Sequence, residues 1–131
     1  MDDWKEKAER ALENLARDRQ AIGGLRAQIL QVDADKIIVD EPSQRRALDL
    51  QKQELETKLA ALTAHVEQVD RVLATFSKRD KELFEELYFG ASQYRTAAVI
   101  RLQHKHHQSR SGVYRHRDGL LWEFAYRMGW I

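Results

Sequence analysis

Cysteine is absent from the 131 residues and proline occurs once. Without thiols the chain forms neither disulfides nor thiolate metal sites, so its fold cannot depend on an oxidising compartment. No uninterrupted apolar run approaches the roughly 20 residues that a membrane-spanning helix needs. The opening MDDWKEKAER is charged where a signal peptide carries an apolar stretch. A soluble, cytoplasmic protein with no membrane partner is therefore expected. Also missing are a Gly-rich phosphate loop, a nucleophile elbow, an HExxH pair and paired carboxylates, so the chain is read as not an enzyme, with no catalytic residue and no cofactor. A chain this short makes one domain or two small ones and buries no large enzyme-type core.

One absence is local. From Arg95 to Arg117 there is no Asp or Glu in a chain that is 33% charged, while Arg95, Arg101, Lys105, Arg110, Arg115 and Arg117 alternate with four histidines. The overall net charge of +1 conceals this. Residues 1–76 hold twelve Lys/Arg against fifteen Asp/Glu, and residues 77–131 hold ten against six. Such asymmetry between the halves of a chain points to a nucleic-acid-binding module joined to something else.

What is present in the acidic half is a seven-residue apolar repeat. Alternate steps of four and three from Trp4 visit Ala8, Ala11, Leu15, Asp18, Ile22, Leu25, Ile29, Val32, Lys36 and Val39, which predicts one long helix over 2–39. The same steps from Leu48 visit Lys52, Leu55, Leu59, Leu62, Val66, Val69, Leu73 and Phe76, a second long helix over roughly 43–76. Between them lies DEPS with the single proline, which suits a first helical turn and disfavours helix in the residue before it. The repeat favours left-handed coiled-coil packing, either as a hairpin within the chain or between two chains. Leu15, Ile22, Leu25, Ile29, Leu55, Leu59, Leu62, Val66 and Val69 are the candidate self-association residues, a dimer being favoured. Gly23 and Gly24 mark either a bend or close contact or else a tolerated weak spot on an exposed face.

Residues 77–131 lose the heptad. Ser77 caps a helix, with Asp80 placed to reach back in a capping box, and Leu83, Phe84, Leu87 and Tyr88 give it an apolar face as far as Phe89, with a stop at Gly90. A second short helix is expected from Tyr94 to about Leu102, burying Ala97, Ala98, Ile100 and Leu102, followed by a turn in QHKHHQ, 103–108. A third begins at Ser109 or Ser111 and runs through Val113, Tyr114, Arg117, Leu120, Leu121 and Phe124 to a stop at Gly129, with Trp130 and Ile131 folding back on the core.

A short helix, a turn and a helix with a cationic front half is the helix-turn-helix arrangement, whose second helix enters the major groove. The presented groups are Gln108, Ser109, Arg110, Ser111, Tyr114 and Arg115. Arg pairs with a guanine edge and Gln with adenine, while Ser and Tyr reach base or phosphate. Arg95, Arg101 and Lys105 suit phosphates, and Arg117 lies in the same cationic stretch. His104, His106 and His107, without Cys or a carboxylate run beside them, are read as loop histidines near phosphates, and no metal is expected. Trp122, Tyr126 and Trp130, spaced by four, are read as core or dimer contacts in preference to base-stacking groups. Trp4 is read as a coiled-coil end residue.

SKRDKELFEELYF followed by SRSGVYRHRDGLLWEFAYRMGW resembles the C-terminal module of the ArpU and RinA type phage late-gene transcriptional regulators, themselves similar to the last DNA-binding domain of primary sigma factors. The resemblance rests on Ser77, Arg79, Asp80, Leu87 and Tyr88, then Ser109, Arg110, Ser111, Tyr114 and Arg115, then Leu120, Leu121, Phe124, Ala125, Met128 and Gly129. It covers about the last 55 residues. The family's acidic middle helix is replaced here by YRTAAVI and its turn by HKHHQS. The resemblance implies an all-α protein with a long helical hairpin or coiled coil over 1–76 and a helix-turn-helix over 77–131. It also implies a phage or prophage activator of late genes that binds double-stranded DNA, with RNA polymerase as a candidate partner. Two other readings stay open: a small terminase subunit that forms rings, and a coiled-coil adaptor that binds a polymerase or host factor.

Overall fold

The computed structural model describes residues 3–89 and 95–131. Among them the chain is all-helical, with no strand, and no helix is long and apolar enough to cross a membrane. The elements are α1 (Asp3–Glu13), α2 (Leu15–Ile38), α3 (Pro42–Leu73), α4 (Lys78–Phe84), a π-helical turn (Glu85–Phe89), α5 (Arg95–His106) and α6 (Arg110–Arg127).

The single helix expected over 2–39 is interrupted at Asn14, a residue type of modest helix propensity, although the Asn14 amide still donates to the Arg10 carbonyl at 2.9 Å. At the start of α3, Pro42 occupies the first helical position, where its missing N–H costs nothing. Glu41 caps the turn, its carboxylate accepting from the Gln44 amide at 2.9 Å and from the Ser43 hydroxyl. These hydrogen bonds, Ser43's foremost, hold the Glu41 carboxyl below its ordinary pKa. The far end of α3 falls at Leu73, short of the expected Phe76, because Thr75 turns its amide and hydroxyl onto the Val72 carbonyl at 3.0 and 2.6 Å.

Contacts divide the chain into two compact units, Arg17–Glu67 and Met1–Ala16 with Gln68–Ile131, a grouping different from the sequence boundary after residue 76. The reason lies in α1. Ala8 and Leu12, four apart, are fully buried, and α1 packs on α6 and on the π turn, whereas the heptad steps pass over Leu12.

Within Arg17–Glu67, α2 and α3 lie antiparallel. Lys52 donates to Asp33 at 2.7 Å, Lys36 pairs with Asp49, and His65 Nε2 lies 3.9 Å from the Asp18 carboxylate. As the partner on α2 advances from 18 to 36, the one on α3 falls from 65 to 49, which only opposed directions allow. Asp18, Lys36 and Lys52 are the polar breaks in the two apolar stripes, and each has an oppositely charged or chargeable partner on the other helix. Such pairs add little stability but select one register over a slipped one. Ile22, Val32, Leu55 and Val66 are buried here, with Leu25, Ile29, Leu59 and Leu62 half-buried. Leu30, Ile37, Ile38 and Leu50 stand exposed.

Gly23 and Gly24 produce no break in α2, and a Cβ at either would meet nothing within 4 Å, so they are weak spots on an open face. Gly23→Ala and Gly24→Ala are each expected to raise stability by about 1 kcal/mol through helix propensity alone. Urea unfolding of the two single variants and the double variant checks this, and a loss of stability in either would show that the bare backbone there is needed.

The other unit is built around aromatic rings. Phe84 and Phe124 are fully buried, 6.3 Å apart between centroids, and Phe76 stands edge-on to Phe84 at 5.3 Å. Leu83, Leu87 and Tyr88 complete the expected face of α4 and its π turn, all buried. On α5, Ala98, Val99 and Leu102 are buried, while Ile100, expected inside, is half exposed. The helix runs on to His106, past the expected Leu102; its predicted start at Tyr94 and the predicted stop at Gly90 lie outside the described residues. α6 ends in a Schellman motif, with Gly129 at φ +82°, its amide on Tyr126 O at 3.0 Å and the Trp130 amide on Ala125 O at 2.9 Å. Trp130 folds back edge-on to Phe124 at 5.9 Å with the Lys7 ammonium over its ring at 4.5 Å, whereas Ile131 stays exposed.

Candidate nucleic-acid interface

The turn between α5 and α6 decides how the front of α6 is presented. α5 closes with the Gln108 amide on the Gln103 carbonyl at 3.1 Å, a six-to-one bond that needs a left-handed residue between, and His107 supplies it at φ 53°. Ser109 follows with extended backbone, and its hydroxyl accepts from the Gly112 amide at 3.0 Å, the first of the two serines proposed as caps. A Cβ on Gly112 would lie 3.1 Å from that hydroxyl, so glycine there leaves room for the cap. The connection is therefore three residues, His107 to Ser109, tighter than the six-residue turn read from the sequence. Because a left-handed non-glycine residue is strained, His107→Gly is expected to raise stability by roughly 0.5–1 kcal/mol. A thermal melt of the variant is the check, and a fall would show that the imidazole holds contacts worth more than the strain.

Ser77 caps α4 as expected, accepting from the Asp80 amide at 3.2 Å. Asp80 does not reach back to close a box. Its carboxylate takes His116 Nε2 of α6 at 2.9 Å, tying the first helix of the module to the third.

The acid-free stretch is neutralised by carboxylates from elsewhere in the fold. Arg95 pairs with Glu13 of α1 at 3.1 Å and lies over the Tyr88 ring. Arg101 donates to Glu86 at 2.8 Å, while Lys105 and His106 approach Glu82 at 3.6 and 3.4 Å. The hydrogen bond from His106 is the main cause that holds the Glu82 carboxyl below its usual pKa. Arg117 turns toward α1, donating to Asp118 at 2.9 and 3.1 Å, and Asp118 in turn accepts Lys5 at 3.2 Å. Burial opposes the charge on Asp118, but the bonds from Arg117 and Lys5 outweigh it and lower its pKa.

Two arginines escape this pairing. Arg110 and Arg115 are exposed on the first turns of α6 with no carboxylate partner among the described residues, and Ser111 stands exposed beside them. Arg110 lies 5.9 Å from the Tyr114 ring, and Arg117 covers the same ring at 5.0 Å, so Tyr114 is half-buried and fixed. The Gln108 side-chain oxygen is buried and unpartnered. The amides opening α6 add the positive end of its dipole to this corner. Thus Gln108, Arg110, Ser111, Tyr114 and Arg115 cluster at one helix start, Ser109 is consumed as the cap, and Arg117 faces away into an internal ion pair. The Arg101 and Lys105 pairs are exposed, of a kind worth roughly 0–1 kcal/mol; a phosphate can replace either carboxylate at small cost.

Sequence reasoning passed over Lys78 and Arg79 as charges, both exposed at the start of α4 without a carboxylate partner among the described residues. It also placed Trp122 and Tyr126 as core or dimer contacts, and within the chain they are not core: they are 49% and 59% exposed and stack on one another. The nine residues expected to self-associate are buried or half-buried inside the chain, Leu15 and Val69 in the α1-containing unit and the other seven along α2 and α3. Among the described residues no three His, Asp or Glu side chains gather in a way that could hold a metal ion. Comparison of the chain with protein-family models, with curated proteins and with solved structures yields no match.

Proposed function

We propose that this chain is a sequence-specific double-stranded DNA-binding transcriptional regulator in which α5 and α6 act as a helix-turn-helix and α6 reads the major groove. The observation that carries the reading is the pair Arg110 and Arg115. They remain exposed and unpaired on a capped helix start while every other cation of the 95–117 stretch is matched to a carboxylate within the chain. Arg110, Ser111, Arg115 and Gln108 address base edges, Tyr114 braces Arg110, and Arg101, Lys105 and Arg95 exchange their exposed carboxylate partners for phosphates. The helical hairpin of α2 and α3 serves as an extension that carries the module. By its resemblance to the ArpU and RinA type regulators, the role is activation of phage or prophage late genes in the cytoplasm of a bacterial host, with RNA polymerase as partner.

A second reading has support of its own. Leu30, Ile37, Ile38 and Leu50, 63–82% exposed on the helical pair, are the apolar surface an adaptor would offer to another protein. Selection from sheared genomic DNA at near-physiological salt separates the readings. The regulator enriches one motif, an adaptor enriches none above non-specific binding, and a large ring bound near a packaging site would give the protein to DNA packaging instead.

A further inference from the structure

α6 has a face that nothing in its own unit covers. Trp122 and Tyr126, four residues apart, stack with centroids 5.4 Å apart and planes within 10°, half or more of each ring exposed. One turn earlier a Cβ on Gly119 would meet nothing within 4 Å, leaving bare backbone that another helix can approach closely. Beside the pair, Glu123 and Arg127 satisfy each other at 3.0 Å, so the platform carries no unbalanced charge to attract a polyanion or to repel a copy of itself.

We propose that this face is a two-fold interface with a second copy of the chain, the two α6 helices crossing antiparallel near Phe124 with Trp122 of each copy against Tyr126 of the other. An isologous contact requires the same two residues to be mutually complementary, and an i, i+4 aromatic pair meets that requirement. The heptad residues are unavailable for the task because α2 and α3 bury them against each other. The spacing agrees as well. From the base-reading turn at Gly112 to the crossing at Phe124, α6 rises about 18 Å at 1.5 Å per residue. A two-fold axis there sets the two reading turns about 36 Å apart, against the roughly 34–36 Å between half-sites one DNA turn apart. The spacing argument rests on the DNA-reading role of α6; the interface does not.

Sedimentation of the full chain without DNA, over roughly 1 μM to 1 mM, tests the interface. The wild type is expected to dimerise reversibly, and Trp122→Ala with Tyr126→Ala to weaken the dimer roughly 30-fold or more. Circular dichroism of the double variant should be unchanged, since both side chains are exposed. A wild type that stays monomeric throughout, or a dimer indifferent to the double variant but broken by Ile37→Ser with Ile38→Ser, overturns the proposal. So does loss of single-stranded oligonucleotide binding in the double variant at unaltered mass, which would make the pair a base-stacking platform. A dimer broken by the double variant in a protein that binds no duplex keeps the interface and ends the regulator reading; a monomer that reads duplex DNA does the reverse.

Discussion

Arg110→Ala combined with Arg115→Ala is expected to remove sequence-specific duplex binding while leaving the melting temperature where it was. Neither guanidinium has a carboxylate partner among the described residues, and both side chains are exposed, so their removal leaves no buried charge uncompensated and opens no cavity. Each arginine set bidentate on a guanine edge is worth roughly 1–3 kcal/mol of discrimination, so the pair together controls on the order of 100-fold or more. Arg101→Ala should behave differently. It gives up an exposed bond to Glu86 and one phosphate contact, weakening binding to all sequences alike and lowering the salt slope by about one. Parallel titrations of the selected and a scrambled duplex at two salt concentrations distinguish the two effects. If the Arg110/Arg115 variant instead loses stability and keeps its affinity, the helix start is a structural element and the base contacts lie elsewhere.

Phe84→Ala should come close to unfolding the unit that contains α6. The ring is fully buried between Phe76, Tyr88 and Phe124, on the one short helix that meets both the π turn and α6. Truncating such a side chain costs about 3–5 kcal/mol in lost transfer energy and cavity formation, a large share of the 5–15 kcal/mol typical of a whole domain. Two edge-on aromatic contacts disappear with it. Urea unfolding followed by tryptophan fluorescence reports on this unit directly, because Trp4, Trp122 and Trp130 all belong to it. A loss below about 1 kcal/mol would mean that the neighbouring rings collapse into the space, and that the aromatic cluster is not what holds the helices together.

Much of this fold was legible because its signals are local. Ser77 and Ser109 cap the helices they precede, Pro42 opens α3 and Gly129 closes α6, each through chemistry confined to a few neighbouring residues. The apolar stripes of α2 and α3 also emerged from their period, and even their polar breaks, Asp18, Lys36 and Lys52, mark cross-helix partners. What stayed hidden depends on distant pairing. Nothing in MDDWKEKAER says that Lys5 will meet Asp118 or that Glu13 will meet Arg95, 82 positions away. The stretch 95–117 looked more cationic than it is because its counter-charges, Glu13, Glu82, Glu86 and Asp80, lie outside it in sequence. His107 likewise gives no sequence sign that it will take the left-handed position usually left to glycine. The candidate site consequently shrinks from ten residues to a smaller group at the start of α6, with Arg110 and Arg115 at its centre.

Because the account turns on α6 reading bases, the decisive measurement is the affinity of the wild-type protein for its genomically selected duplex relative to a scrambled duplex of equal length, at near-physiological salt. A ratio of roughly 10³ or more, collapsing toward the scrambled value in the Arg110→Ala, Arg115→Ala variant, is the predicted result. A ratio near one in the wild type, or a high ratio that survives the double substitution, would contradict it.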